Sequence, residues 1–303
     1  MAGAAQKSAL ITGASSGIGR ASVARMIESG WRVFATVRKQ QDGDRLRSEL
    51  GPNLTPVIMD VTDRGSILSA ADTVGTDLRG AGLGGLVNVA GIGKVSPIEY
   101  VSDSELREVF DINLFGQIAV IRAFLPLLRM APSRIVNVTS VGARLAIPFA
   151  SLLNGSKSAF AMFSDTLRLE LHPFGIYVSA IEPGAIKTPA IDKTLGDIEA
   201  VIAKLPPSGA EQYGDLLRTF AARGYEREMH GSSPDVVAHA VHHALTSLRP
   251  KARYRVGKHA RLLGRLALLP SGVLDMIRFK ITGMPSKFGA LRSRSTRGTL
   301  REA

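Results

Sequence analysis

The chain has 303 residues, 45% of them hydrophobic and 6% aromatic, which is enough for one large α/β domain with a tail. It contains no cysteine, which excludes a disulfide framework, thiolate catalysis and any cysteine metal site. The formal net charge of +12 belongs to residues 249–303, which carry 14 basic side chains against two acidic ones. Residues 1–248 carry 24 of each sign, so the main domain is not a basic nucleic-acid binder.

The beginning of the chain enters the first predicted strand directly. This leaves no room for a signal peptide in the given sequence. No run of about 18 uncharged apolar residues occurs, so we expect no membrane-spanning helix. The sequence therefore predicts a cytoplasmic location.

A glycine-rich turn lies between the first predicted strand and the first predicted helix. The strand covers residues 9–12, the turn contains Gly13, Gly17 and Gly19, and the helix runs over 18–29. Glycine lets the backbone come close to a pyrophosphate, and the free N–H groups of the first helical turn point toward it. The pattern predicts a phosphate-binding turn, with a purely structural turn as the alternative.

Short apolar strands then alternate with helical patterns. Further strands are predicted at 32–37, 55–61, 86–89, 134–139, 176–181 and 254–257, and helices at 63–78, 106–130, 154–172 and 235–248. The 106–130 helix is expected to divide near Asn113. Strands buried on both faces indicate a parallel sheet covered by helices on both sides. Functional groups in such a sheet lie beyond the carboxyl ends of the strands.

Residues 185–232 interrupt this alternation. A segment in this place suits a cover over an apolar substrate pocket, although its composition does not identify the substrate. Four histidines follow at positions 230, 239, 242 and 243. Their spacing matches no catalytic metal motif, so we predict no metal site.

The C-terminal extension, residues 258–303, is basic and partly amphipathic. Arg261 and Arg265 flank the leucines of one predicted helix, and a second apolar stretch covers residues 273–281. Such a segment, here residues 258–282, is typical of peripheral contact with an anionic membrane surface. Packing over the substrate cleft or at a subunit interface is the alternative. Beyond about residue 290 the extension is predicted to be disordered.

The order of these motifs resembles the short-chain dehydrogenase/reductase superfamily over residues 8–257. The matching segments are TGASSGIG at 12–19, Asp60 after the third strand, NVAG at 88–91, Asn113, Ser140 after the fifth strand, Lys157, and PGAIKT at 183–188. The fragments TVRK, IPF, PFGIYVSAIEPG and RYRVG look most like the retinol and 17β-hydroxysteroid dehydrogenase branch.

The resemblance implies an α/β fold, with a Rossmann-type doubly wound parallel sheet in a single domain, residues 1–257. It also implies an oxidoreductase with a nicotinamide cofactor, and a homodimer or homotetramer formed through the long central helices. The cofactor-binding residues that it implies are Gly13, Ser15, Ser16, Gly17, Ile18 and Gly19 for the pyrophosphate and adenosine ribose, Asp60 and Val61 for the adenine, Asn88, Ala90, Gly91 and Lys157 for the ribose channel, and Pro183, Gly184, Ile186 and Thr188 for the nicotinamide amide. A helix cap is the alternative role for Asp60.

The end of the second strand bears on the choice of cofactor. An NAD site normally places a carboxylate there for the ribose 2′-hydroxyl, but this strand ends in Thr36-Val37-Arg38-Lys39. Arg38 can pair with a 2′-phosphate and Ser16 can donate to it. We therefore predict NADP(H) over NAD(H), with solvated loop charges as the alternative.

One catalytic position departs from the superfamily pattern. The resemblance implies that a tyrosine four residues before Lys157 exchanges a proton with the substrate, that Ser140 bonds the substrate oxygen, and that Asn113 supports a water chain. This chain has Leu153 at the tyrosine position. Leucine cannot transfer a proton, and general acid–base catalysis is typically worth about 10²–10⁴-fold. An apolar side chain there should also lower the pKa of Lys157 by desolvation.

Three interpretations of Leu153 remain open. The chain is an oxidoreductase of a lipophilic carbonyl or secondary alcohol (steroid-, retinoid- or fatty-ketone-like) with an altered proton path. Alternatively, it is a catalytically inactive NADP(H)-binding homologue that acts as a sensor or partner subunit. The third interpretation is a deliberately inactivated variant. The presence of Asn113, Ser140 and Lys157 favours retained chemistry.

Overall fold

Seven short apolar strands form one parallel sheet in the computed structural model, which describes residues 7–291. The strands are β1 (Ser8–Ile11), β2 (Arg32–Val37), β3 (Leu54–Ile58), β4 (Gly85–Asn88), β5 (Arg134–Val138), β6 (Tyr177–Pro183) and β7 (Arg253–Val256). Their order is β3-β2-β1-β4-β5-β6-β7. The chain thus winds outward in both directions from β1 and β4, which leaves a crevice beyond their carboxyl ends. The predicted doubly wound α/β fold is confirmed.

Helices cover both faces of this sheet. They are α1 (Gly17–Glu28), α2 (Gln40–Leu50), α3 (Arg64–Leu78), α4 (Asp103–Phe110), α5 (Gly116–Arg129), α6 (Ser151–Leu171), α7 (Ala190–Leu195), α8 (Ile198–Ala203), α9 (Pro207–Met229), α10 (Asp235–Thr246), α11 (Ala260–Leu266) and α12 (Ser271–Thr282). The predicted strands and helices all occur, with ends shifted by a few residues. The sequence reading omitted α2, whose segment QQDGDRLRSEL has only two apolar residues, Leu46 and Leu50.

The core has one layer on each side of the sheet. On one side α1 and α10 pack against the strands through Val23, Met26 and Val241. On the other side α3, α5 and α6 supply a larger layer that includes Phe124 and Phe160, both fully buried. Each such aromatic side chain contributes roughly 1.5–3 kcal/mol by leaving water, so these layers hold the strand ends in fixed positions.

The predicted division of the long helix near Asn113 is confirmed. One π-helical turn, Asp111–Phe115, separates α4 from α5 and places Asn113 on the inside. By length and composition alone, the continuous helix Asp103–Arg129 is apolar enough to cross a membrane. Within this helix, 44% of the apolar 18-residue stretch is buried inside the protein. Its inner face packs in the core layer of α3 and α6, as the central helix of a globular domain does.

Residues 185–232 form three helices, α7 to α9, that lie outside the two main layers. They enclose a third apolar cluster, which contains Val95, Ile202, Leu217 and Phe220. The sequence reading assigned no elements here. Pro206 and Pro207 interrupt the apolar pattern, and Pro207 instead begins the 23-residue helix α9.

The C-terminal extension packs against the domain with one face only. Leu274 and Thr282 of α12 are buried, and Arg223 of α9 donates to the carbonyl oxygen of Lys280 at 2.9 Å. Opposite them, Leu268 and Met276 are 82% and 65% exposed. Residues 292–303, predicted to be disordered, lie outside the described residues.

Candidate functional site

The glycine-rich turn leaves no room for side chains. Gly13 and Gly17 have positive φ values of 64° and 53°, which glycine adopts without strain. A Cβ at Gly13 would lie 2.9 Å from the Ala90 Cα, and a Cβ at Gly19 would overlap the carbonyl oxygen of Gly13. The start of α1 is therefore open to close approach by a phosphate group, and the residues present fit a dinucleotide.

Two polar residues fix the strand ends beside this turn. The Thr12 hydroxyl accepts from the backbone N–H groups of Val89 and Ala90, at 2.9 and 3.1 Å. The side chain of Asn88 lies inside the sheet, where its Nδ2 donates to Asn137 Oδ1 at 2.9 Å. Thr12 lies in the matched segment 12–19 but was assigned no role of its own, and Asn137 was missed because a buried polar residue in a strand carries no pattern of its own.

Asp60, which is predicted to bind the adenine, follows β3 and bonds within its own loop. Asp60 Oδ1 accepts from the Thr62 backbone N–H and hydroxyl, at 2.9 and 2.8 Å. The Thr62 backbone N–H lowers the pKa of Asp60 against the opposing effect of burial, and the Thr62 hydroxyl and nearby Arg38 lower it further. The cap of α3 is Asp63, whose side chain accepts from Gly65 N, so the alternative role of Asp60 as this cap is wrong.

Basic side chains border the same edge. Arg38 and Lys39 are exposed at the end of β2, and Ser16 makes no side-chain cap hydrogen bond to α1. Arg45 of α2 reaches the glycine-rich turn, where its Nη2 donates to the Ser15 carbonyl oxygen at 3.1 Å. Arg45 was missed because its helix was missed.

Asn113 and Lys157 converge beneath Gly91. Asn113 is fully buried, and its Oδ1 accepts from Ile92 N at 2.8 Å. Lys157 Nζ donates to the Val138 carbonyl oxygen at 2.9 Å, and burial lowers the pKa of Lys157 to about 8. A Cβ at Gly91 would lie 3.1 Å from Asn113 Oδ1 and 3.2 Å from Lys157 Nζ.

Ser140 lies at the end of β5 and Leu153 in the first turn of α6. The Ser140 Oγ accepts from Gly142 N at 2.9 Å, which leaves its own hydrogen free to donate. Leu153 is directed toward Gly93, and a Cβ at Gly93 would lie 3.7 Å from Leu153 Cδ2 and 3.2 Å from Thr194 Oγ1. The position expected to hold a phenol therefore presents only methyl groups.

An apolar cluster lies beneath α8 and α9 and includes Val95, Leu217 and Phe220. The ring of Phe149 makes edge contacts with Tyr213 and Phe220, at centroid distances of 6.1 and 5.5 Å. Phe149 has a φ of 61°, a strained conformation for a residue other than glycine. A hydrogen bond to Glu99, together with burial, raises the pKa of Tyr213 to about 12, so Tyr213 is a poor acid at neutral pH. This lining suits lipophilic molecules.

The predicted nicotinamide segment, residues 183–188, passes close to the glycine-rich turn. A Cβ at Gly17 would lie 3.3 Å from the Thr188 side chain. The backbone N–H of Ile186 donates to Glu228 Oε2 at 3.3 Å, a contact that the sequence did not suggest.

A buried ion cluster fixes the start of this segment. Glu182 bonds Arg144, which follows Ser140, and also Arg253 and Arg255 of β7. Burial alone would raise the pKa of Glu182, but the guanidinium groups of all three arginines lower it below its ordinary value. The cluster ties the Ser140 loop to the end of the sheet and was also missed by sequence reasoning.

No group of three or more candidate metal ligands occurs within residues 7–291.

Comparison with known proteins agrees with this geometry. The family model described as short chain dehydrogenase matches residues 7–198. The chain belongs to the short-chain dehydrogenase family. It is 35% identical to human retinol dehydrogenase 5 over 292 residues, covering 91% of this chain and 89% of that protein. It is 34% identical to rat 17-beta-hydroxysteroid dehydrogenase type 6 over 281 residues, covering 89% and 87%.

Solved structures of family members share the fold. A short-chain dehydrogenase from Streptomyces avermitilis is 28% identical with a TM-score of 0.71, covering 98% of this chain and 99% of that one. A short chain dehydrogenase from Burkholderia cenocepacia in complex with NADP is 25% identical with a TM-score of 0.68, covering 90% and 97%. The fold of this chain is therefore one that binds a nicotinamide dinucleotide, and its family is one of oxidoreductases.

Proposed function

We propose that the chain is an NADP(H)-dependent oxidoreductase of lipophilic carbonyl compounds or secondary alcohols, with a proton-transfer step that uses no phenol. The observation that carries the proposal is the placement of Asn113 and Lys157 around Gly91, with Ser140 at the end of β5 and a glycine-rich turn that fits a dinucleotide. The bound cofactor would supply or accept the hydride.

Each polar residue has a distinct part in this proposal. Ser140 has a free hydroxyl hydrogen with which to hold a substrate oxygen. Lys157 supplies a buried positive charge, and Asn113 fixes the backbone of Ile92 beside it. Positioning of the substrate can still accelerate hydride transfer when the acid is missing. The proton must then come from water, from Lys157 or from a side chain of residues 185–232, and turnover should be slow.

Substituting Leu153→Tyr tests this part of the proposal. The new phenol would stand four residues before Lys157, and we expect a gain of about 10²–10⁴-fold in NADPH oxidation with a panel of lipophilic ketones and aldehydes. Leu153→Phe is the matched control, since it adds the ring without the hydroxyl and should give no such gain. Equal rates for the two variants would contradict the proposal.

The preference for NADP(H) is supported by charge. Arg38 and Lys39 stand exposed where NAD sites place an acid, and Ser16 is free to donate. A 2′-phosphate there would gain charge-assisted hydrogen bonds from Arg38. A preference for NADP(H) favours the reductive direction.

A second candidate function is a dinucleotide-binding protein without turnover, working as a sensor or partner subunit. Leu153 favours it, because the apolar side chain removes the proton donor and leaves the residues of the cofactor site unchanged. A deliberately inactivated variant would have the same structure. The two candidates separate in a single-turnover experiment: transfer of hydride from bound NADPH to a ketone supports the enzyme, and its complete absence supports the binding protein.

The lipophilic substrate class is supported by the apolar cluster beneath α8 and α9 and by two relatives whose names specify retinol and hydroxysteroid dehydrogenases. We also propose that residues 1–257 form the catalytic domain, and that a homodimer or homotetramer forms through α5 and α6. Phe115, directly before α5, is 57% exposed, and Met162 and Leu169 of α6 are 67% and 65% exposed. Such apolar side chains are typical of subunit interfaces.

We further propose a cytoplasmic protein that touches an anionic membrane surface through residues 258–282. Leu268 and Met276 are exposed on the outer face of the extension, together with Arg261 and Lys280. The opposite face of α12 packs on α9. Packing on the domain and contact with a membrane would therefore use different faces of the same helix.

Vesicle flotation tests the membrane contact. Anionic vesicles should carry the protein at low salt and release part of it at high salt, because the basic side chains are screened. Neutral vesicles are the control, and Met276→Glu should weaken binding without unfolding the domain. No flotation with anionic vesicles at low salt would exclude the contact.

A further inference from the structure

Glu228 bonds the backbone that is proposed to hold the nicotinamide. Its Oε2 accepts from Ile186 N at 3.3 Å. On the other side of this segment, Ser232 N donates to the Ala185 carbonyl oxygen and Lys187 N donates to the Ser232 carbonyl oxygen, at 3.0 and 2.9 Å. Consecutive peptide groups of an extended segment point in opposite directions. The Ile186 N–H therefore points away from Ser232 and donates its hydrogen bond to Glu228.

The position of Glu228 does not suit a purely structural role. The residue stands in the last turn of α9, where the helix dipole disfavours a negative charge. Its side chain is only 26% exposed, and Arg227 Nε lies 3.6 Å from its Oε1. Burial raises the pKa of Glu228, although Arg227 and the Ile186 N–H oppose the increase. A carboxylate in this setting depends on the few donors that it can reach.

We propose that Glu228 holds the Ile186 N–H until the nicotinamide carboxamide displaces it. The inference rests on the proposed function, in which Ile186 binds that carboxamide. A carboxylate oxygen and a carboxamide oxygen both accept hydrogen bonds, and a single N–H in good geometry serves one acceptor. Glu228 is thus a positioning residue that competes with the nicotinamide half of the cofactor.

The competition has a consequence for α9. This helix contributes Leu217 and Phe220 to the apolar cluster, and the Glu228 contact is one of the bonds that hold its C-terminal end to the segment after β6, beside the two backbone bonds of Ser232. Displacement of Glu228 by the cofactor removes that bond and leaves those of Ser232. We therefore expect the C-terminal end of α9 to become more mobile once the dinucleotide is bound, which favours binding of the cofactor before the substrate.

Calorimetric titration with two ligands tests the competition. NADPH contains the nicotinamide, whereas 2′,5′-ADP contains only the adenosine half. Glu228→Ala should bind NADPH about 2- to 10-fold more tightly than the wild type, which is the effect of one net hydrogen bond, and 2′,5′-ADP equally. Glu228→Gln keeps an acceptor without the charge, and its NADPH affinity should lie between those of the wild type and Glu228→Ala. Glu226→Ala, an exposed acid on the same helix, is the control and should change neither affinity.

Hydrogen exchange gives a second readout. NADPH should increase exchange at residues 225–232 of the wild type, and 2′,5′-ADP should not. In Glu228→Ala this segment should exchange rapidly before any ligand is added. Unchanged or weaker NADPH binding by Glu228→Ala would overturn the competition. Failure of the wild type to bind either ligand would instead overturn the proposed function.

Discussion

The turn proposed to bind the dinucleotide (residues 13–19, here the edge) and the segment proposed to cover the substrate (residues 185–232, here the cover) are built in different ways. At the edge, Gly13 and Gly19 bring backbone atoms together so closely that a single methyl group does not fit. In the cover, α8 and α9 meet the domain through interlocked side chains such as Phe149 and Phe220. Few residue types fit where backbone atoms are in contact, whereas many combinations of apolar side chains can pack together. We therefore expect substitutions to be tolerated better in the cover than at the edge.

The largest effect should come from closing the edge. Gly19→Ala places a Cβ against the Gly13 carbonyl oxygen, so the turn must move or α1 must begin elsewhere. We expect at least a 100-fold loss of NADPH affinity by calorimetry. Gly272→Ala is the control, since a Cβ there meets no atom within 4 Å. Retained affinity in Gly19→Ala would show that the edge is less rigid than the structure indicates.

A smaller effect should come from reversing a charge at the same edge. Arg38→Asp removes the proposed partner of the 2′-phosphate and provides an acceptor for a 2′-hydroxyl. We expect NADPH to bind about 10- to 100-fold more weakly, a loss consistent with a charge-assisted hydrogen bond, and NADH to bind more tightly. Arg107→Asp, an exposed change of equal charge, should leave the ratio of the two affinities unchanged. An unchanged ratio in Arg38→Asp would refute the assignment.

The last prediction concerns folding stability rather than cofactor affinity, and it follows from the burial of Lys157. Burial lowers the pKa of Lys157 to about 8, below the ordinary value of 10.5. Between these pH values the unfolded chain holds a proton that the folded chain has released, so folding stability rises with pH. Relative to Lys157→Met, the wild type should gain on the order of 1–3 kcal/mol in free energy of unfolding from pH 8 to about 10.5. Denaturant titrations at several pH values would measure this gain, and a flat difference would contradict the burial of a charged Lys157.

The sequence predicts the parts of this molecule that depend on short-range rules. The turn of Gly13 and Gly17 was identified because it separates a predicted strand from a predicted helix, whereas the role of Asn113 was implied by the family resemblance. Helix α2 was missed because tertiary contacts of Leu46 stabilise a polar segment. Arg45 and Glu228 were missed for a related reason: a charged residue on a helix is common, and only the fold shows what it touches.

The surroundings of Leu153 also could be predicted only in part from the sequence. The sequence identified Leu153 as a departure and predicted the lowered pKa of Lys157, which the structure supports. It did not predict that Thr194 approaches Gly93 beside Leu153 from the cover. Contacts between distant segments decide which groups surround a substrate, and spacing along the chain does not encode them.

Calorimetric titration of the unmodified protein with NADPH and with NADH tests whether the chain binds a phosphorylated nicotinamide dinucleotide. We expect saturable binding of NADPH at one site per chain, and binding of NADH that is at least about tenfold weaker, because NADH lacks the charge-assisted contacts of the 2′-phosphate. No heat of association with either dinucleotide would contradict this expectation.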